Sequence, residues 1–202
     1  MSLRSLFFLG IFGASLPQMV LAQTADPARI PVQELSDSLI AASKGGAKLG
    51  FAGRSALLRP VVTRSFDLPL MTRLIIGAPW VKLTPADQNA ITAAFTRFTI
   101  AQYAGNFKSF NGQSFTVTAR VESRASDRLV RTTLNQPRTA GIAIGYRLRS
   151  SGGQWKIIDV FYNNAISQLA TRRADFAGIL AAGGAKALVR HIDALTAKAA
   201  NS

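Results

Sequence analysis

The apolar positions change period within residues 154–180, and the rest of the chain is organised around that change. The first part reads Gln154-Trp155-Lys156-Ile157-Ile158-Asp159-Val160-Phe161-Tyr162-Asn163-Asn164. Its β-branched and aromatic residues predict a strand. From Ala165 the apolar residues fall at helical spacing. Ile166, Leu169, Ala170, Phe176, Ala177 and Leu180 share a stripe, and Arg172 and Asp175 lie off it. Asn163 or Asn164 is expected to cap this helix, and Ala182-Gly183-Gly184 to end it. No loop of any length separates strand from helix. The helix must therefore fold straight back over the sheet, and the space between them is expected to hold packed core or a ligand.

Upstream, Pro31 suits the first turn of a helix whose apolar face is Val32, Leu35 and Leu39, and Gly45-Gly46 stops or breaks it. A second helical stretch covers about 53–65, with Pro60 bending it or marking its first turn. Asp67 is a natural cap for a short helix that buries Leu70, Met71, Leu74 and Ile75. Thr84-Pro85-Ala86-Asp87 is a variant capping box. The helix it opens runs to about Ala104, with Ile91, Phe95 and Phe98 on one face and Tyr103 and Phe107 continuing the aromatic set.

After the turn signal Phe110-Asn111-Gly112-Gln113 the period becomes two. Phe115, Val117, Ala119 and Val121 alternate with polar residues. Further strands are expected at 129–134 and 139–149, and Ser150-Ser151-Gly152-Gly153 leads as a hairpin loop into the Trp155 strand. A last helix covers about 185–199. The reading is α+β: a four-stranded antiparallel sheet covered by helices from both ends of the chain.

Residues 1–22 change the picture of location. Arg4, an apolar run from 6 to 16 and Val20-Leu21-Ala22 read as a secretory signal peptide. Residues 23–30 read as a flexible start, and 31–200 as one domain. Beyond Ala22 there remain 23 basic and 10 acidic residues, a net charge of +13. There is no cysteine, which excludes disulfides and a cysteine-linked lipid anchor. An exported protein of this kind fits a periplasm. Its charge points to anionic lipid head groups or an acidic partner rather than nucleic acid.

The search for catalytic chemistry comes back nearly empty. The single histidine, His191, has no partner at a recognisable spacing. With one His and no Cys, a transition-metal site is poorly supplied, and no cofactor motif is present. Asp159 is the one carboxylate in a strand that otherwise reads as buried. It is a base in an enzyme reading, with Tyr146 or Tyr162 beside it, or a structural acceptor toward Arg147 or a helix amide. Aromatic residues are the richer signal: Phe66, Phe95, Phe98, Phe107, Phe161 and Phe176 lie where helices meet the sheet. On the third strand one face is bulky and the other reads Gly141, Ala143, Gly145, which leaves room or lets the strand bend. Such walls line an apolar pocket or simply form an aromatic core.

An ordered set of residues then resembles a known family. It begins with Phe66-Asp67-Leu68-Pro69-Leu70-Met71-Thr72-Arg73-Leu74, Gly77-Ala78-Pro79-Trp80 and Leu83-Thr84-Pro85, and continues through Phe95 and Tyr103. It closes with Trp155-Lys156-Ile157-Ile158-Asp159-Val160, Arg172-Arg173-Ala174-Asp175-Phe176 and Gly183-Gly184. The set resembles the MlaC or toluene-tolerance family of periplasmic lipid-binding components of ABC transport systems, including its hopanoid-associated branch, HpnM. The likeness runs over about 30–197. It implies a soluble carrier without catalysis or cofactor, which holds a phospholipid or a hopanoid between sheet and helices and exchanges it with membrane complexes. Phe161-Tyr162-Asn163-Asn164 departs from phospholipid-carrying members, which have a small or polar turn there.

The aromatic helix faces and the likeness together nominate Leu70, Leu74, Phe95, Phe98, Ile142, Ile144, Tyr146, Val160 and Leu169 as ligand-binding residues of an apolar cavity. The energetics agree with such a carrier. At about 0.8 kcal/mol per methylene, two chains of about 16 carbons cost on the order of 25 kcal/mol in water. A carrier must bury that surface and can leave the head group in solvent. The rivals are a small α+β enzyme using Asp159 and an adaptor that binds only protein.

Overall fold

The computed structural model describes residues 25–201, so the expected signal peptide at 1–22 lies outside the described residues. Glycines break the first helix into two segments joined across a kink, as was expected at Gly45-Gly46. Helix α1 runs Arg29–Ser65, and Gly46 (φ 45°) and Gly50 (φ 61°) inside it adopt the left-handed region that side chains resist. The bend at Gly46 is braced by Arg54, which is buried. Arg54 Nη1 donates to the Gly46 carbonyl at 2.8 Å and Nε donates to the Ala104 carbonyl at 2.8 Å. The carbonyl released at the bend thus gains a charged donor, and the bend is tied to the next long helix.

Helix α2 spans Leu68–Ile76, and Asp67 caps it by accepting from the Leu70 amide at 3.1 Å. A 3₁₀ turn at Ala78–Lys82 leads to α3, Pro85–Asn106. There the Thr84 hydroxyl accepts from the Asp87 amide at 3.1 Å and donates to the Asp87 carboxylate at 2.8 Å. Strands β1 (Ser114–Arg124), β2 (Asp127–Asn135), β3 (Ile142–Ser151) and β4 (Gln154–Tyr162) follow as an antiparallel meander. Gly152 and Gly153, both at positive φ, close the β3–β4 hairpin.

The sheet has five strands, not the expected four. Asn163 (φ 50°) and Asn164 (φ 56°) do not cap a helix; they turn the chain back through the left-handed region, which asparagine tolerates. A short strand β5, Ile166–Ser167, then pairs with Tyr162 and Phe161. Ile166, expected on the helix stripe, is an exposed strand residue. Helix α4 begins only at Gln168, with Ser167 as its cap, and runs to Ala200. At Gly184 (φ 64°) the backbone leaves helical geometry, so the helix ends where expected and a second helical segment follows across the kink.

Helices α1, α2 and α4 pack on the sheet, and α3 lies along α1 and α4. The inner face of the sheet buries Val130, Leu134, Tyr146, Leu148 and Ile157. The Gly141, Ala143, Gly145 side of β3 faces away from that core, because successive strand residues alternate. The room it leaves is filled from the outer face. A Cβ at Gly145 would lie 3.2 Å from Asn164 Oδ1 and 3.6 Å from Phe161 Cβ. His191 is partly buried, edge-on to Phe176.

Toward the outer end of the sheet Asp127 is only 1% exposed and accepts from Arg149 Nε (2.7 Å) and Arg147 Nε (2.6 Å). The Arg149 hydrogen bond, helped by Arg147, holds its carboxyl below the usual range. A carboxylate with a depressed folded pKa stabilises the fold above its unfolded pKa, about 3.9, and loses that contribution as pH falls through the folded value. Thermal melts below about pH 4 are therefore expected to show a falling midpoint, and Asp127→Asn to flatten that slope while lowering stability at pH 7. An unchanged acid slope in Asp127→Asn would remove this cluster from the acid sensitivity.

Candidate functional site

On α3 the residues Phe95, Phe98, Thr99, Gln102, Tyr103 and Asn106 recur at helical spacing and form one stripe. Facing them, Ile142, Ile144 and Tyr146 recur with period two on β3. Between these surfaces lies a cleft of about 480 Å³. Helix α2 contributes Met71 and Ile75, β4 contributes Val160 and Tyr162, and the start of α4 contributes Gln168, Leu169 and Arg172. Leu39, Phe66, Phe107, Phe115 and Leu134 complete the apolar part. Phe66, Tyr103, Phe107 and Phe115 run as a chain of rings with centroids 5.8, 6.5 and 6.0 Å apart.

Exposure separates floor from rim. Leu39, Phe66, Ile75 and Tyr146 are each no more than 2% exposed, whereas Asn106, Gln136 and Tyr162 are exposed. The rim is rich in carboxamides: Gln102, Asn106, Gln113, Gln136 and Gln168. These groups both donate and accept, so such a rim can pair with polar groups of either kind. Arg172 is the one charged side chain of the lining. Its guanidinium lies 4.9 Å over the Phe98 ring and pairs with Asp175 at 3.3 Å. Burial raises the pKa of Tyr146, and burial followed by the nearby Tyr146 raises that of Tyr103. Both phenols are therefore neutral hydroxyls at physiological pH.

Seven of the nine nominated residues come together here: Phe95, Phe98, Ile142, Ile144, Tyr146, Val160 and Leu169. Leu70 and Leu74 do not line the cleft; they are half-buried at the side of α2, where the Leu74 carbonyl accepts from Arg173. Met71 and Ile75 take their place, one residue further along the same helix. Periodicity had grouped all four on one face, and a three-turn helix has too few residues to fix its phase. The α3 stripe could have been extended to Gln102 and Asn106 by adding further helical steps to Phe95. Gln113, Gln136 and Gln168 had no such signal, because they sit on three separate segments.

Asp159 lies outside the lining. Its Oδ1 accepts from the amides of Val160 (2.8 Å) and Leu169 (3.1 Å), and its Oδ2 accepts from the Ser167 hydroxyl at 2.6 Å. Its partners are thus a helix start and a capping serine, and Arg147 turns instead to Asp127. Among the described residues no group of His, Cys, Asp and Glu could hold a metal ion, and no helix is long and apolar enough to cross a membrane. The cleft offers an apolar floor with hydrogen-bonding groups at its mouth.

Comparison with known proteins supplies a context for this geometry. A model of the MlaC protein family matches residues 33–194. The fold is similar to the solved structure of a phospholipid-binding protein from Ralstonia solanacearum, in complex with a phospholipid. The TM-score is 0.74 at 25% identity, over 87% of this chain and 99% of that one. No curated protein matches the sequence.

Proposed function

The chain belongs to the MlaC protein family, and on that premise we propose that it is a lipid-binding transport protein whose ligand lies in the cleft between α3 and β3. The carrying observation is the division of that cleft into an apolar floor and a carboxamide rim. Apolar chains leave water against the floor, at about 0.8 kcal/mol per methylene, while the head group stays at the mouth. The ligand is a phospholipid or a hopanoid. Phe98, Ile144, Val160 and Leu169 touch its apolar part, with Met71 and Ile75 supplying the contribution of α2. Residues 31–200 act as the single lipid-binding domain. No step of bond making or breaking is involved, and no cofactor.

The protein works in the periplasm after removal of residues 1–22, and exchanges lipid with membrane-embedded transport complexes. Its charge of +13 beyond Ala22 favours approach to anionic membrane surfaces. One preparation tests these statements together. Native mass spectrometry of the exported protein is expected to give the mass of a chain beginning near Gln23 with a lipid adduct, and organic extraction should release that lipid. Lipid transfer to anionic vesicles should slow as salt rises, since screening shortens to about 8 Å at physiological ionic strength. A preparation that never carries or acquires lipid would sink the carrier reading.

A further inference from the structure

Two phenols stand out in the apolar part of the cleft. Tyr146 is 1% exposed and Tyr103 is partly buried, and both line the cleft. Neither hydroxyl forms a hydrogen bond with another described residue. Tyr103 stands on α3 and Tyr146 on the facing β3, and they do not bond to each other. Other buried hydroxyls of the same region are satisfied locally. Thr99 donates to the Phe95 carbonyl at 2.9 Å and Thr132 to the Ile144 carbonyl at 3.2 Å. Neither phenol oxygen is among the sealed polar atoms of the interior, so both open into the cleft, from α3 and from the facing β3. A ligand that fills the cleft strips them of water, which is costly unless it supplies a partner.

A saturated acyl chain gives none. It would cover both hydroxyls and leave them dry and unpaired, where phenylalanine would serve better. The ester oxygens of a glycerolipid do not reach the pair easily either. On the proposed reading they follow the head group to the mouth, where Gln102 and Gln168 line the cleft. The oxygen that meets the phenols must belong to the end of the ligand that enters first.

We propose that Tyr103 and Tyr146 form a polar subsite at the floor of the cleft for an amphiphile whose buried end carries a hydroxyl or oxo oxygen. This rests on the lipid-carrier reading and narrows its ligand class. A hydroxyl or oxo oxygen can accept from a phenol, and a hydroxyl can also donate to one, so such an end supplies the partner that a hydrocarbon end lacks. The subsite also works by exclusion, since a ligand without that oxygen leaves the pair unsatisfied.

The test compares hexadecanoic acid with its ω-hydroxy analogue, binding to delipidated wild type, Tyr103→Phe, Tyr146→Phe and the double variant. In an apolar pocket the added hydroxyl weakens binding. With the subsite present, wild type is expected to prefer the ω-hydroxy acid. Each Phe substitution should erode that preference by about two- to tenfold, and the double variant should reverse it. Tyr→Phe keeps the ring packing, and thermal melts verify that each variant is folded. Wild type that binds both acids equally overturns the subsite and leaves the carrier reading standing. A preference that survives in the double variant also overturns it. So does a phenol-dependent preference for a diacyl over a dialkyl phosphatidylglycerol with none for the ω-hydroxy acid, because the oxygen would then be an ester carbonyl. Wild type that binds none of these lipids overturns the carrier reading itself.

Discussion

Ile144→Trp is expected to abolish most lipid binding and leave the fold nearly as stable as wild type. Leu148→Trp, on the same face of the same strand, should do the reverse. The border between cleft and core crosses β3 between them. Ile144 lines the cleft and is partly exposed. Leu148 is fully buried and does not line it. An indole at 144 has space to enter, and it fills the space a lipid needs. An indole at 148 meets packed side chains on every side, and overpacking costs about 1–3 kcal/mol or more. For a domain of this size each kcal/mol lowers the melting temperature by about 2–4 °C. Melts of delipidated protein and quantification of bound lipid read the two effects separately. Leu169→Trp at the mouth should behave like Ile144→Trp. If Ile144→Trp melts as far below wild type as Leu148→Trp, the wall of the cleft is ordinary core.

Asp159→Ala is expected to be the most damaging single truncation near the site, through structure and not through chemistry. The carboxylate joins β4 to the start of α4 by two accepted hydrogen bonds, from the capping Ser167 hydroxyl and the Leu169 amide, and accepts a third from Val160 within β4. Its negative charge also lies at the positive end of a long helix. Alanine leaves the Leu169 amide and the Ser167 hydroxyl without that acceptor in a site that is 7% exposed. The loss should be about 3–5 kcal/mol, or on the order of 10 °C in melting temperature. Gln168, Leu169 and Arg172 all enter the cleft from that turn, so lipid binding should fall as well. Asp159→Asn keeps one carbonyl oxygen and should fall between. A melting temperature within about 2 °C of wild type in Asp159→Ala would refute the tether.

The elements were largely legible in the sequence because their signals are local. Asp67 and Thr84 cap the helices they were expected to cap. The aromatic positions of α3 and the alternation on β3 mark surfaces that meet. The misreadings share one cause, which is that phase and direction depend on neighbours. At α2, four apolar residues in a row of turns gave no means of choosing Met71 and Ile75 over Leu70 and Leu74. On β3 the small residues Gly141, Ala143 and Gly145 suggested room beside the cleft. The room is real, but it is on the other face, where Asn164 and Phe161 occupy it. The asparagine pair after β4 carried both a cap signal and a turn signal. Pairing of Ile166 with Tyr162 across the sheet edge decided for the turn.

Composition, period and capping residues by themselves determined an α+β chain with a strongly basic balance, no cysteine chemistry, and aromatic faces on α3 and β3. Those properties depend on contacts a few residues apart and on residue type. Tertiary structure alone decided that Gln102, Asn106, Gln113, Gln136 and Gln168 share one rim, since they come from four separate segments. It alone turned Asp159 toward a helix start, and it alone brought Tyr103 and Tyr146 to the same cleft from facing elements without hydrogen-bond partners among the described residues. Convergence of that kind is set by how the helices cross the twisted sheet, and no spacing along the chain encodes it.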